Sequence, residues 1–386
     1  KLNKPKIRDI GKIMHISLAQ PSLGKEEIVE IQKVFESGWV AGNGPTGEKL
    51  SDEMNKKYGF SYSLPVSNCT AGLHLALLCL NIGKGDDVLV SDFTFPATGH
   101  SVKYVGANPI FVDSHKDTYN FDITDAYKKL TPNTKAIICV HTFGNMCEMD
   151  KISQFAAENN LYVIEDAACS LGAKYQGKYA GNWSDIGCFS MHARKNITSG
   201  EGGMMTFRDK DTFKKAKKLS AFGQKRAFER KNTSFVVPVF EELGYNYKLS
   251  DIACGILLAQ LRGYDQRLEV RRSLAEYYRE SLKEIHFLKP QVIDQEENSV
   301  LQAFVCIVDE RQSRNDLIEW LRDNHIESQI GTYSSSSQPI YNVEHNCPVA
   351  KVLFEQGIAL PLHSSLTKDN IDFIISQIKR FGDVSR

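Results

Sequence analysis

Four short apolar runs constrain this chain more than any other feature: VLVSD (88–92), IFVD (110–113), AIICV (136–140) and YVIED (162–166). Between them lie PATGHSVKYVG, ITDAYKKL and MDKISQFAAENN, which read as helices. Apolar strands separated by helix-length crossovers specify a mainly parallel sheet covered on both faces. In such sheets ligands bind beyond the carboxyl ends of the strands. That rule singles out residues 92–98, 113–115, 141–145 and 166–170.

With 386 residues the chain exceeds the roughly 250–300 at which single cores stop growing, so a second unit is expected. The pattern changes after about residue 250. Ser250 and Asp251 can cap SDIACGILLAQL, and a long polar helix, YDQRLEVRRSLAEYYRESLKEI, follows as a connector. Beyond it QAFVCIVD, SQIGTY and IALPL read as strands, interleaved with the helices RNDLIEWLRDN and KDNIDFIISQIKRF. The expected division is a large domain over residues 1–250, its N-terminal segment near the small lobe, and a connector helix with a smaller α+β domain over 251–386.

Forty-seven basic and 47 acidic side chains cancel, leaving no global field for a nucleic-acid backbone or an anionic membrane. Nine cysteines are scattered without a C-x-x-C pair, which reads as reduced thiols rather than a zinc or disulfide framework. The N-terminal residues KLNKPKIRDIGKIMHISLAQ lack an apolar secretory core, and nowhere is there an apolar run of about 18 residues. These features predict a soluble cytoplasmic protein without a metal, acting on a small molecule or a protein partner.

GNGPTG (42–47) satisfies the G-x-G-x-x-G pattern of a dinucleotide-binding turn, but that pattern needs a buried strand before it and a helix opened by the glycines. Here the helix KEEIVEIQKVFE precedes it, only SGWVAG intervenes, and EKLSDEMNKKYG reads as a polar surface helix. A flexible glycine-proline loop, lying over a site, is the expectation.

Three segments can carry chemistry. SNCTAGLHLALLCL opens an apolar helix with small and hydroxylic residues, which fits a phosphate site at a helix N-terminus or a plain cap by Asn68 or Thr70. In YVIEDAACSLGA, Glu165 and Asp166 close a buried strand; an acid there ionises only beside a cation or hydrogen-bond donors, or else caps the next helix. In GCFSMHARKNITSGEGGMMTF, Lys195 lies in a polar turn between two strands, with Ser190 upstream. A desolvated lysine has a lowered pKa and forms imines with carbonyls, whereas most lysines are simply solvated. His192 reads as a structural hydrogen-bond partner. Taken together, an anion site, a strand-end aspartate and a lysine are the parts that hold pyridoxal 5′-phosphate. No dehydrogenase needs that set.

The chain resembles the DegT/DnrJ/EryC1/StrS family of sugar aminotransferases, of the type I aspartate-aminotransferase α/β fold. The likeness rests on PSLGKEEI, GWVAGNGPTGEKL, SNCTAGLHLAL, DFTFPAT, VHTFGNMCEMD, VIEDAACSLGA, FSMHARKNITSGEGGMM and LGYNYKLSDIACGILLAQL, ordered as the family orders them. It implies pyridoxal phosphate as cofactor, with Lys195 as the Schiff-base lysine and Asp166 as partner of the pyridine nitrogen. Phe95 falls on the aromatic stacked over the cofactor ring; Thr70, Ala71 and Ser190 fall on phosphate contacts. Asn246 falls on a phosphate contact reaching in from the other subunit, which implies a homodimer with shared sites. The implied reaction moves an amino group from an amino acid, L-glutamate, to the 3- or 4-keto group of a nucleotide-linked deoxysugar. Family dehydratases of the colitose type have histidine at the lysine position, so Lys195 counts against that activity; a non-catalytic relative would lose Lys195 or Asp166. Three departures touch the site. Cys169 stands where glutamine or histidine often contacts the cofactor's phenolic oxygen, Cys69 replaces a usual glycine, and Ser336 replaces a frequent histidine before Gln338-Pro339.

Overall fold

Side chains alternate between two cores along the strands, as period-two strands must when both faces are covered. Leu89, Ile137, Cys139 and Val163 enter one core; Val88, Val90, Ile138 and Ile164 enter the other. The computed structural model describes residues 15–224, 237, 239–293, 299–343 and 346–384. In it, Tyr62–Val66 (β1), Asp87–Ser91 (β2), Asn108–Val112 (β3), Thr134–Val140 (β4), Tyr162–Asp166 (β5), Ile186–Ser190 (β6) and Gly203–Phe207 (β7) form one sheet. Its order is β1-β7-β6-β5-β4-β2-β3, and only β7 runs against the rest. This is the large, mostly parallel, helix-covered sheet of the type I fold.

Two readings of the sequence need correction. Strand β1 went unread because Ser63 and Pro65 interrupt the apolar residues of YSLPV; it is the sheet's edge strand, where proline is tolerated. The glycine-proline segment is not a loose loop. Gly42 bridges Ser250, and the N–H groups of Gly44 and Thr46 donate to the buried Asp251 carboxylate at 3.2 and 2.9 Å. Pro45 opens the helix Pro45–Tyr58, its missing N–H harmless at the first helical position. That helix keeps the polar outer face expected of it and buries Leu50, Met54 and Tyr58 on its inner one.

Helix Cys69–Cys79 is apolar almost all round because it lies between the sheet and the flanking helices Ala97–Tyr104 and Lys210–Leu219. Gly72 lets it settle onto the strands: a Cβ there would lie 3.3 Å from Met205 and 3.5 Å from Cys188. Ser250 caps Asp251–Arg262, accepting from the Ala253 N–H, and the connector helix spans Tyr264–Leu282. Past it, Leu288–Pro290 (β8), Phe304–Val308 (β9), Gln329–Ile330 (β10) and Gly357–Leu360 (β11) form an antiparallel sheet ordered β8-β9-β11-β10. Helices Arg314–Asp323 and Lys368–Val384 pack on it around Leu317, Ile326, Ile358 and Ile374, and Ile16 joins the same core.

Candidate active site

Strand period separates the two acids that close β5. Glu165 shares a face with Val163, and Asp166 shares the opposite face with Ile164, the face under helix Cys69–Cys79. Glu165 is fully buried and saturated. Its carboxylate accepts from His141 Nε2 (2.8 Å), the N–H groups of Gly181, Trp183 and Ser184 (2.9, 3.0 and 3.0 Å) and Ser184 Oγ (2.7 Å). Because His141 Nδ1 takes the Cys147 N–H, Nε2 carries the ring hydrogen. Burial raises the Glu165 carboxyl, but His141 and the other donors outweigh it and hold it below the ordinary value.

Asp166, 5% exposed, has fewer partners. Its carboxylate accepts from Thr98 Oγ1 at 2.7 Å and the Ala168 N–H at 3.2 Å. Burial pushes its carboxyl up, and Thr98, Ala168 and Lys195 only partly offset this. A buried acid left in that condition is suited to a cationic partner that the chain does not itself supply by direct contact.

Lys195 sits on the turn joining β6 to β7. The turn is folded by Lys195 N–H donating to His192 O (2.8 Å) and Arg194 N–H to His192 Nδ1 (3.3 Å), so His192 serves its shape. It is gripped from both sides of the lysine: Asn196 Nδ2 donates to Val300 O (2.8 Å), and Gln302 Nε2 to Arg194 O (3.1 Å). Lys195 Nζ contacts Cys169 Sγ at 3.1 Å. Contrary to the lowered pKa expected of a desolvated lysine, burial is outweighed by Cys169, Cys69 and Asp166, and the amine stays above its usual value.

The helix start serves as both cap and anion site. Asn68 is the N-cap, its Oδ1 accepting from the Ala71 N–H at 2.8 Å. Ala71 is thereby occupied, while the amides of Cys69 and Thr70 have no acceptor inside the helix. Beside them Ser190 pairs with Gly203 in the register of β6 and β7. A Cβ at Gly203 would stand 2.7 Å from the Asn68 carbonyl carbon and 2.8 Å from the Cys69 nitrogen, so this glycine keeps the strand against the helix start. Phe95 leaves its ring exposed, edge-on to Tyr333 at 6.2 Å, and its carbonyl accepts from the Thr98 N–H. The described contacts of Asn246 run elsewhere, to Lys248 Nζ (2.6 Å) and to a bridge with Ala221. Ser336 is buried, its N–H on Asp92 Oδ1 at 2.6 Å.

Thr98 ends the stretch 92–98 that the carboxyl-end rule singled out but was given no role of its own, and neither Asn196 nor Gln302 was given one. Thr98 had a faint signal as a hydroxyl in the first turn after a strand end; the other two act through contacts made over about a hundred residues of chain or more.

The residues fit pyridoxal phosphate on three counts: an under-paired buried acid for a ring cation, free helix-start amides for a phosphate and a half-buried amine for a carbonyl. Fold and donor set together define a type I pyridoxal-phosphate enzyme. A model of the DegT/DnrJ/EryC1/StrS aminotransferase family matches residues 21–379. The chain is 34% identical over 371 residues to GDP-perosamine synthase of Escherichia coli O157:H7, covering 95% of this chain and 98% of that one. It superposes on Spr1654 of Streptococcus pneumoniae in its PLP form with a TM-score of 0.88 at 26% identity, covering 97% and 100% of the two chains. A mutant of GDP-4-keto-6-deoxymannose-3-dehydratase with bound GDP-perosamine gives 0.85 at 25% identity, covering 94% and 100%. The chain therefore belongs to the DegT/DnrJ/EryC1/StrS aminotransferase family. It is a pyridoxal-phosphate-dependent aminotransferase.

Proposed function

We propose that this enzyme moves an amino group from L-glutamate to the 3- or 4-keto group of a nucleotide-linked deoxysugar, as a cytoplasmic homodimer. One observation carries the reading: Lys195 and the under-paired Asp166 stand at the same carboxyl edge of the sheet as the open helix start. The nucleotide-sugar names of the synthase and the dehydratase among its relatives support the substrate class. Nine unpaired cysteines suit a reducing compartment.

When bound, pyridoxal phosphate supplies a carbonyl that amines condense with and a ring that takes up negative charge. Lys195 would hold that carbonyl in the resting enzyme, and its Nζ, once freed by the donor amine, would serve as the base that accepts the donor's Cα proton and as the acid that returns it across the carbon–nitrogen bond, with the roles reversed on the ketosugar. Asp166 holds the ring-nitrogen proton by charge, and Phe95 covers the ring. The open helix-start amide of Thr70, with Ser190, takes the phosphate, and Ala71 joins them where its N–H is shared between the phosphate and Asn68 Oδ1. Cys169, a weak hydrogen-bonding group, faces the lysine where a stronger donor would hold the phenolic oxygen.

Asn246 is assigned to the partner subunit's cofactor phosphate, so that each site draws on two chains. Exposed Ile28, Phe35, Phe240 and Leu243 support burial against a second copy. The large domain, 1–250, then carries the cofactor, and 251–386 the connector and small domain. Amino transfer from L-glutamate to a panel of nucleotide-linked 3- and 4-ketosugars, read by mass spectrometry of the products, tests the reaction. Amination of none of them, by an enzyme that does carry the cofactor, rules out the substrate class.

A further inference from the structure

Thr98 is fully buried and its hydroxyl touches three acceptors with one hydrogen to give. Oγ1 lies 2.7 Å from Asp166 Oδ2, 2.9 Å from Thr94 Oγ1 and 3.2 Å from Phe95 O. The carboxylate is closest and charged, so it takes the hydrogen. The Thr94 contact then survives only if Thr94 donates to Thr98, which gives a directed chain from Thr94 to Thr98 to Asp166. Thr94 is itself buried, held in a two-residue pairing with Tyr333–Ser334.

The chain has a consequence for where a shared proton rests. In a hydrogen bond between a carboxylate and a pyridine nitrogen, the proton sits on the more basic group. A buried carboxylate grows more basic with each donor it lacks. Were Asp166 to lose Thr98, it would draw the proton from the ring, and the ring would hold negative charge poorly. The other titratable groups acting on Asp166 are Lys195, His141, Cys69 and Cys188, and none of them bonds to its carboxylate in the contacts described.

We infer that Thr98, polarised by Thr94, is a positioning residue that keeps Asp166 a weak enough base for the shared proton to stay on the cofactor's ring nitrogen. The inference rests on the assignment of Asp166 to that nitrogen. Its test uses the holoenzyme loaded with ¹⁵N-labelled pyridoxal phosphate, comparing wild type, Thr98→Val, Thr98→Ser, Thr94→Val and Asp166→Asn by NMR across pH. Wild type should show a protonated ring nitrogen. Thr98→Val should move the signal toward the neutral position and lower its titration midpoint, with Thr98→Ser restoring the wild-type signal and Thr94→Val shifting it partway. In cofactor-free protein, the Asp166 carboxyl followed by ¹³C labelling should titrate higher in Thr98→Val than in wild type. Turnover by Thr98→Val should fall about ten- to a hundred-fold, the range for a lost hydrogen bond to a charged group, with KM little changed.

If Asp166→Asn leaves the ring nitrogen as in wild type, the assignment of Asp166 is wrong. If Asp166→Asn shifts it and a folded Thr98→Val does not, the inference about Thr98 fails. Should Thr98→Val not fold, Thr94→Val decides: no shift there overturns the relay.

Discussion

Glu165 and Asp166 are neighbours on one strand, equally out of reach of water, and their surroundings make them opposites. Behind the sheet, Glu165 accepts from five donors drawn from β4's end and residues 181–184, and its charge is complete without anything further. On the site face, Asp166 accepts from two neutral donors and remains short of a partner. The first region is a structural anchor whose anion is stabilised by the fold. The second holds an anion the fold only partly stabilises, and that unmet demand is what a cationic ring nitrogen satisfies. Burial alone does not mark a functional acid; an incomplete donor set does.

The comparison breaks most visibly in turnover. Asp166→Asn should fold and bind cofactor through the phosphate site, yet lose activity on the order of 10²–10³-fold, as breaking a buried ion pair implies. Steady-state kinetics on the purified variant checks this; unchanged kinetics would remove Asp166 from the mechanism. Glu165→Gln should do the reverse. It should lower folding stability by about 3 kcal/mol, since an anchored buried charge is lost and its donors are left short, while activity per folded molecule is kept. Denaturant unfolding alongside active-site titration separates the two effects.

A smaller difference is expected in how stability follows pH in the cofactor-free protein. Glu165 is held below its ordinary pKa, so its contribution is present above about pH 4.3 and is lost as pH falls through its folded value. Asp166 is raised, so its contribution is full below about pH 3.9 and is lost as pH rises through its folded value. At neutral pH, therefore, Asp166→Asn should melt slightly above wild type and Glu165→Gln below it, with the Glu165→Gln gap closing in acid. Equal pH profiles for the two variants would erase the distinction between anchor and site.

Much of this was legible in sequence because it depends on local pattern. Apolar strands of helix-separated spacing specified the parallel sheet, and the rule of carboxyl ends pointed to residues 166–170. The lysine turn was marked by polar, glycine-rich residues between two strands. What escaped was tertiary. YSLPV becomes strand β1 because β7 pairs with it. The turn at 42–47 is pinned by Asp251, some two hundred residues away, and Gly44 cannot advertise that partner. Thr98 lay within the strand-end stretch 92–98, but nothing local told its hydroxyl from its neighbours until the fold laid it against Asp166. The family resemblance named Asp166 rather than Glu165 from sequence, but the physical reason needed the fold, since only the loop at 181–184 reveals which of the two is already satisfied.

The central claim is that Lys195 carries the cofactor. Borohydride reduction of the purified holoenzyme, followed by digestion and peptide mapping, tests it most directly, with Lys195→Ala as the control. The cofactor should be fixed as a stable secondary amine on the peptide containing Lys195, and the Lys195→Ala protein should take up no label and show no turnover. Label on another lysine, or none on a protein that binds the cofactor, would contradict the account.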